Sequence, residues 1–206
     1  MKVRIILSIA LAAMIAAASV ISASAAVELN EMNPSGQTEV KAHIDGVVPG
    51  DVKYTITIPD TVDFETLGVP ENNTEAHNKD VTYEVTLTKL ENLDPEEEVV
   101  NVYVKDQKAV VGVDEQFYIT NKSKSDVKFN YDVYTAAGAE LNLSNNINNR
   151  TMTSSGYFLK GFSELGESMT GTLRFDLNQL YGQNIAEIAG DYSGDMVFFS
   201  AIEDVA

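Results

Sequence analysis

The sequence predicts an all-β protein, an antiparallel immunoglobulin-like β-sandwich of about eight or nine strands. Two observations predict it: apolar and polar residues alternate through most of the chain, and turn-forming residues separate the alternating runs. Alternation buries one face of each strand and leaves the other in water, which suits two sheets packed face to face or a barrel. The number of short runs favours the sandwich.

The first 25 residues have the layout of a secretory signal peptide. Lys2 and Arg4 precede an apolar run from residue 5 to 21, and an A-S-A cleavage signal follows it. We expect cleavage before Ala26 rather than retention of the run as a membrane anchor. The prediction therefore divides the chain into a signal peptide (1–25), a flexible N-terminal arm (26–36) and a single β-sandwich domain (37–206).

Seven runs carry the alternation, and they are rich in the β-branched and aromatic residues typical of strands. Their inward-facing sets are, in chain order, Val40, Ala42 and Ile44; Val52, Tyr54, Ile56 and Ile58; Val81, Tyr83, Val85 and Leu87; Val100, Val102 and Val104; Val127, Phe129, Tyr131 and Val133; Met169, Gly171, Leu173, Phe175 and Leu177; and Tyr192, Gly194, Met196 and Phe198. Between the strands we expect a polar exposed loop over residues 141–156 and one short helical turn within residues 177–189.

Charge and cysteine content narrow the classes of partner. The chain has 14 basic and 31 acidic residues, a net charge of −17. Without the signal peptide, 12 basic residues stand against 31 acidic ones, a net charge of −19. Such a chain repels nucleic acid and anionic membranes, so neither is an expected partner, and we expect no stable membrane insertion after signal cleavage. Cysteine is absent, so the core alone must stabilise the exported domain.

The residue pattern predicts no catalytic, cofactor-binding or metal-binding residue, and we expect a protein that is not an enzyme. His43 and His77 lack partners at metal-binding spacing and are interpreted as solvated surface residues. The sequence has no G-x-S-x-G motif. The acidic run over residues 94–98 lies in a predicted turn, whereas a glycosidase needs two carboxyl groups facing each other across a cleft.

The residue pattern leaves calcium and sugars as two alternative ligands. Hard oxygen donors lie in several turns, although none fits the EF-hand pattern, so a structural calcium ion is a weak alternative to no cofactor. These donors are Asp45, Asp51, Asp94, Glu96, Glu97, Glu98, Asp191 and Asp195. Sugar binding relies on exposed aromatic rings. The chain has no tryptophan, and Tyr103, Tyr118 and Tyr134 are its expected outward-facing rings.

Two stretches, DVKYTITIPDTVDFETL near the start and GDYSGDMVFFSAI at the close, carry a family resemblance. The chain resembles small secreted Gram-positive, mainly clostridial, β-sandwich surface proteins, which have a T-x-I-P opening strand and a G-x-Y-x-G-x-x-x-F closing strand. The group is similar to immunoglobulin-like surface proteins and to WxL-type or fimbrial components. In the closing strand we expect Gly190 to permit a turn, Gly194 to allow close backbone approach, and Phe198 to anchor the core.

These observations lead to a functional expectation. We expect a secreted, non-enzymatic cell-surface interaction module, which the resemblance extends to a subunit of an extracellular or fimbrial assembly. Its expected partners are other surface proteins or further copies of itself, and residues 26–36 are a candidate for adding to a neighbour's sheet edge. The alternative is a carbohydrate-binding module of the cell envelope, with glycans as partners.

Overall fold

The computed structural model describes residues 26–29 and 51–205. In these ranges the strands are β1 (Ala26–Leu29), β2 (Lys53–Pro59), β3 (Asn78–Glu91), β4 (Glu98–Asp106), β5 (Phe117–Asn121), β6 (Lys128–Tyr134), β7 (Tyr157–Phe162), β8 (Ser168–Asp176), β9 (Tyr192–Ser193) and β10 (Met196–Asp204). The helical segments are four 3₁₀ turns (Gly138–Glu140, Leu143–Asn145, Ile147–Asn149 and Leu177–Leu180) and the short helix α1 (Ile185–Ile188). The predicted signal peptide, most of the predicted arm and the predicted strand with Val40, Ala42 and Ile44 lie outside the described residues.

The strands form two antiparallel sheets. The large sheet has the order β1-β2-β3-β8-β6-β5-β9, and the small sheet has the order β10-β4-β7. The predicted antiparallel β-sandwich is therefore confirmed. The helical turn expected within residues 177–189 is present as the last 3₁₀ turn and α1.

The core lies between the two sheets and follows the predicted alternation. Val100, Val102 and Val104 of β4 are each at most 1% exposed, and they belong to the same cluster as Ile56 of β2 and Phe175 of β8. Burying a side chain of this size contributes about 1.5–3 kcal/mol relative to leaving it in water. The domain, which has no cysteine, thus has a continuous apolar interior.

The closing segment keeps the predicted roles of Gly190, Gly194 and Phe198, but the prediction of one continuous strand is wrong. The segment divides into β9 and β10, and Gly194 lies between them, exposed rather than facing inward. Gly190 has a φ of 145°, which glycine adopts easily. A Cβ atom on Gly194 would collide with the carbonyl oxygen of Tyr118, so this position requires glycine. Phe198 is 3% exposed and belongs to the core. The segment crosses from the large sheet, where β9 pairs with β5, to the small sheet, where β10 pairs with β4.

Two loop regions differ from the expectations. The segment over residues 141–156 was expected to be exposed, but Ile147 and Met152 are 0% and 2% exposed and pack in the core. Its asparagines allow this: the Asn142 and Asn146 side chains cap successive 3₁₀ turns, and the second turn directs Ile147 inward. At the N-terminus, Ala26–Leu29 pairs with β2, with Ala26 opposite Pro59. These four residues of the predicted arm thus form a strand.

Candidate interaction groove

The large sheet has seven strands and the small sheet has three. A stretch of irregular chain packs over part of the large sheet that the small sheet does not cover. Residues 60–69, here called the strap, follow β2 and pair with no strand among the described residues. Phe64 fixes the strap to the large sheet. Its ring is 8% exposed and makes edge contacts with Tyr131 and Phe175 at centroid distances of 5.8 and 5.9 Å. The strap therefore replaces strands as a cover for the large sheet.

A cavity of about 1060 Å³ lies beside the strap, at the upper end of the range for ligand pockets. Its lining includes the strap, the chain from Ala189 to Met196, and Phe198. The large sheet contributes inward-facing side chains, namely Tyr83, Ile119, Phe129, Tyr131 and Leu173. No described residue of β4 or β7 lines it. We call this cavity the groove.

The groove meets the outer edge of β10, with which no strand in the described part of the chain pairs. β10 is the last strand of the small sheet, and its register with β4 places Met196 opposite Asp106. The amide of Gln107 donates to the carbonyl of Asp195 at 3.0 Å, and the amide of Val205 donates to the carbonyl of Glu97 at 2.8 Å. In an antiparallel pair such bonds recur at every second residue. The backbone groups of the alternate residues, including Met196 and Phe198, therefore point away from β4.

Both ends of the groove are held by specific hydrogen bonds. Beyond Phe198, the hydroxyl groups of Tyr54 and Ser200 are 3.0 Å apart and join β2 to β10. At the other end, the Lys124 amine donates to the carbonyl of Ala186 at 3.1 Å and to that of Glu187, which anchors α1. The groove is thus framed by ordered elements that leave its centre open.

The lining of the groove is strongly acidic. It contains five carboxylates, those of Asp60, Asp63, Glu65, Asp191 and Asp195, and among its described lining residues Lys122 is the only basic one. Glu65 pairs with Lys79, which lies outside the groove, at 2.9 Å. Among the described ion pairs, none involves Asp63, Asp191 or Asp195. The groove thus combines an apolar floor with a negative rim.

Tyr131 places a polar atom against this apolar floor. The side chain is 5% exposed and lines the groove, and the hydrogen bonds of the described residues include none to its hydroxyl. Burial, with the nearby carboxylates of Asp106 and Asp195, raises the pKa of Tyr131 well above its usual value, so the hydroxyl remains a donor. Tyr83, by contrast, donates to the carbonyl of Tyr134 at 3.1 Å. The alternation of the sequence predicts that Tyr131 faces inward but not that it lines a groove.

Asp106 is a second buried polar group, and it has partners. It is 5% exposed and accepts hydrogen bonds from the amides of Lys108 at 2.8 Å and Tyr118 at 3.2 Å. Burial raises the pKa of Asp106, and these two amides oppose the rise. The carboxylate fixes the start of the connection between β4 and β5. Its role is therefore structural support beneath the groove.

The other residues considered for chemistry do not form a site in the described part of the chain. Asp94 and the following glutamates lie in the turn between β3 and β4, and Asp191 and Asp195 lie at the groove. Within residues 26–29 and 51–205 no group of three or more potential ligands is placed to hold a metal ion. His77, expected to be solvated, has its Nε2 buried without a hydrogen-bond partner in this part of the chain and lies 4.0 Å from Glu75. His43 and Asp45 lie outside the described residues.

Two of the three expected outward aromatic rings are covered. Tyr103 is 9% exposed because Phe158 and Phe199 shield its ring at centroid distances of 5.8 and 6.3 Å. Tyr134 is 3% exposed, and the Arg174 guanidinium lies 5.4 Å from its ring. Tyr118 is half-buried, and the Lys128 amine lies 3.8 Å above its ring. Phe158, at 43% exposed, is instead the accessible ring on the small sheet.

Comparison with solved structures finds a distant likeness. The chain is similar to a chain in a structure described as "Chaperone-tip adhesin complex is vital for synergistic activation of CFA/I fimbriae biogenesis", with 12% sequence identity and a TM-score of 0.44. The alignment covers 74% of this chain and 42% of that chain, so this protein spans less than half the length of its neighbour. No family model and no curated protein matches the sequence. Among the described residues, no helix is long and apolar enough to cross a membrane.

Proposed function

We propose that the protein is a secreted, non-enzymatic cell-surface interaction module, a member of the group of Gram-positive surface proteins that its opening and closing strands resemble. It binds a partner protein by accepting an extended segment beside β10. The observation that carries this proposal is the outer edge of β10, which meets the groove and pairs with no strand of residues 26–29 or 51–205. An extended segment placed there would hydrogen-bond to the free backbone groups of Met196 and Phe198 and bury alternate side chains on the floor.

The dimensions of the groove support a strand as its occupant. The chain from Gly190 to Phe198 lines the groove, but it crosses from β9 to β10, so only Met196 to Phe198 offer a strand edge there. An extended segment advances about 3.3 Å per residue, so a segment of about nine residues is long enough to pair with this edge and to continue over the floor. Backbone pairing would supply affinity, and the apolar floor would select the side chains. A role as a subunit of an extracellular or fimbrial assembly follows if the donor segment belongs to another surface protein.

Panning a displayed library of nine-residue peptides against residues 26–206, which keep β1, tests this function. We expect enriched peptides with apolar residues at every second position. We also expect Met196→Pro to weaken their binding at least about tenfold, because proline removes a free-edge amide and fills part of the groove. Ile202→Pro is the matched control, since it removes another free-edge amide of β10 outside the groove lining. Absence of enriched peptides, or equal loss in both variants, would contradict the proposal.

Carbohydrate binding is the second candidate, and Phe158 is the observation that favours it. Its exposed ring lies beside Tyr103, whose hydroxyl donates to Glu203 at 2.7 Å, and Asn101 donates to the same carboxylate at 2.8 Å. An aromatic ring next to a carboxylate and an amide is a common combination for a sugar. A glycan array probed with the wild type and with Phe158→Ala separates the candidates, because a glycan signal lost in this variant supports sugar binding on the small sheet.

A further inference from the structure

We propose that the groove binds a basic segment of a different protein, with apolar side chains facing the large sheet and lysine or arginine side chains facing Asp63, Asp191 and Asp195. This inference rests on the proposed function and specifies the chemistry of the partner. Strand addition alone would admit a second copy of the chain or another protein. The electrostatics of the groove distinguishes between them.

The groove lining has more acidic than basic side chains. Asp63 belongs to the strap, and Asp191 and Asp195 belong to the closing segment, so two separate elements of the lining each contribute carboxylates to the groove. The chain as a whole carries a net charge of −17. Complementary charge accelerates association and excludes partners of the wrong sign, particularly at low ionic strength. A segment with positive side chains at alternate positions matches both sets of carboxylates.

The chain's own candidate segments lack this charge. The predicted arm has the sequence AVELNEMNPSG, with Glu28 and Glu31 and no basic residue. The run TEVKAHI has the alternation of a strand, but Glu39 offsets Lys41. A second copy would therefore bring neutral or negative segments to a negative groove, and like charges oppose such pairing. The charge balance favours a basic partner over self-assembly through the groove.

The hydroxyl of Tyr131 is a second feature of the groove that a bound segment would contact. It is a hydrogen-bond donor at the apolar floor, and no acceptor in the described part of the chain meets it. Its oxygen is not among the buried side-chain atoms that lack a partner in the described residues, so it is accessible from the groove, where a bound molecule would replace water as the acceptor. A backbone carbonyl of an inserted segment, or a polar side chain on its inward face, would do so. The rim and the floor thus each require something that a polypeptide strand carries.

Designed peptides test the charge requirement directly. Fluorescence anisotropy would compare labelled KVTVKVTVK with EVTVEVTVE, which have the same alternation and opposite charge, on residues 26–206. We expect the basic peptide to bind at least about tenfold more tightly at low salt, with the difference shrinking as salt screens the rim. Equal affinity would overturn the inference and leave strand addition intact, whereas no binding by either peptide or by the panned peptides would contradict the proposed function as well.

Matched variants locate the effect in the groove. The triple variant Asp63→Asn, Asp191→Asn and Asp195→Asn should lower affinity for the basic peptide about tenfold and flatten its salt dependence. The control variant Glu96→Gln, Glu97→Gln and Glu164→Gln removes the same charge from exposed turns outside the groove lining, and we expect less than a twofold change. Similar losses in both variants would reduce the effect to net charge and overturn the inference.

Two further measurements address the floor and the occupant. Tyr131→Phe should weaken the basic peptide severalfold without lowering the melting temperature, because it removes only an unpaired hydroxyl. Unchanged affinity would exclude Tyr131 from recognition and overturn that step. Peptides with the sequences AVELNEMNPSG and TEVKAHI serve as competitors, and if either displaced KVTVKVTVK at a lower concentration than unlabelled KVTVKVTVK itself, the groove would belong to a copy of this chain.

Discussion

The inner face of the large sheet is covered in two ways. Over one part, β4 and its neighbours form a hydrogen-bonded sheet whose inward valines are at most 1% exposed. Over the other part, the strap contributes Phe64 at 8% exposed and half-buried Val62 and Leu67, with no strand pairing in the described residues. The first cover is closed, and the second leaves the groove.

The difference follows from the number of strands. Three strands cannot cover seven at the usual spacing of 4.7–4.9 Å between neighbours, so irregular chain must complete the layer. The irregular strap does not pair its backbone with β10, so within residues 26–29 and 51–205 this edge has no partner strand. Natural proteins usually cover or disrupt such edges because they recruit other strands. Here the edge is recessed and flanked by carboxylates, an arrangement that restricts access by charge and by shape.

The largest expected effect is in the closed part. Phe162→Ala removes a ring that is 0% exposed and lies between the sheets. We expect a loss of about 3–5 kcal/mol, because the packed surroundings cannot collapse into the cavity. Urea unfolding followed by circular dichroism measures it. Phe158→Ala on the outer face of the same strand is the comparison, with a smaller expected loss of about 1 kcal/mol, because its exposed ring loses only the edge contact with Tyr103. A loss below 1 kcal/mol for Phe162→Ala would mean that the core between the two sheets is not tightly packed around this ring.

A smaller effect is expected at the strap. Phe64→Ala loses the two edge contacts with Tyr131 and Phe175, but water from the groove can fill the space. We therefore expect about 2 kcal/mol, the transfer cost of the ring without a large cavity term. The same unfolding experiment applies, with Val69→Ala, at 46% exposed, as the strap control. A loss equal to that of Phe162→Ala would show that the strap packs against the large sheet as tightly as the small sheet does.

The sequence predicted the strands whose alternation is unbroken. The inward sets of β2, β3, β4, β6 and β8 are confirmed, as are the roles of Gly194 and Phe198, because each follows from local periodicity or sterics. β5 was missed because its inward pattern ends in Asn121, a polar residue that is 2% exposed and holds the following turn through the amides of Ser123 and Lys124. β7 was missed because a register shift opposite Val102 and Tyr103 interrupts its alternation.

The groove could not be predicted from periodicity. It depends on how many strands enter each sheet, and strand order is decided by long-range pairing rather than by local pattern. The strap carries the apolar residues Val62, Phe64 and Leu67 without the spacing of a strand, so its covering role was not visible. The sequence indicates Asp191 and Asp195 only as possible oxygen donors for calcium. In the structure they line the groove beside the start of β10, where they contribute to its negative rim.

The smallest effects are expected for two ion pairs, one at the small sheet and one at the strap. Glu167 pairs with Lys160 at 2.7 Å in the turn between β7 and β8 and accepts from the amide of Ser163 at 3.0 Å, whereas Glu65 on the strap pairs with Lys79 while 74% exposed. Burial raises the pKa of Glu167, but Lys160 and the Ser163 amide outweigh it and hold the pKa below its usual value.

Because the folded-state pKa of Glu167 is lowered, its contribution is present above the unfolded-state value of about 4.3 and is lost as the pH falls through the folded-state pKa. We expect Glu167→Gln to cost about 1 kcal/mol at pH 7 and almost nothing near pH 3, and Glu65→Gln to cost less than about 0.5 kcal/mol at either pH. Urea unfolding at the two pH values measures both. A loss for Glu65→Gln as large as that for Glu167→Gln would mean that the strap is held as firmly as the paired strands, and the groove would then be a fixed feature of the fold, its width independent of any occupant.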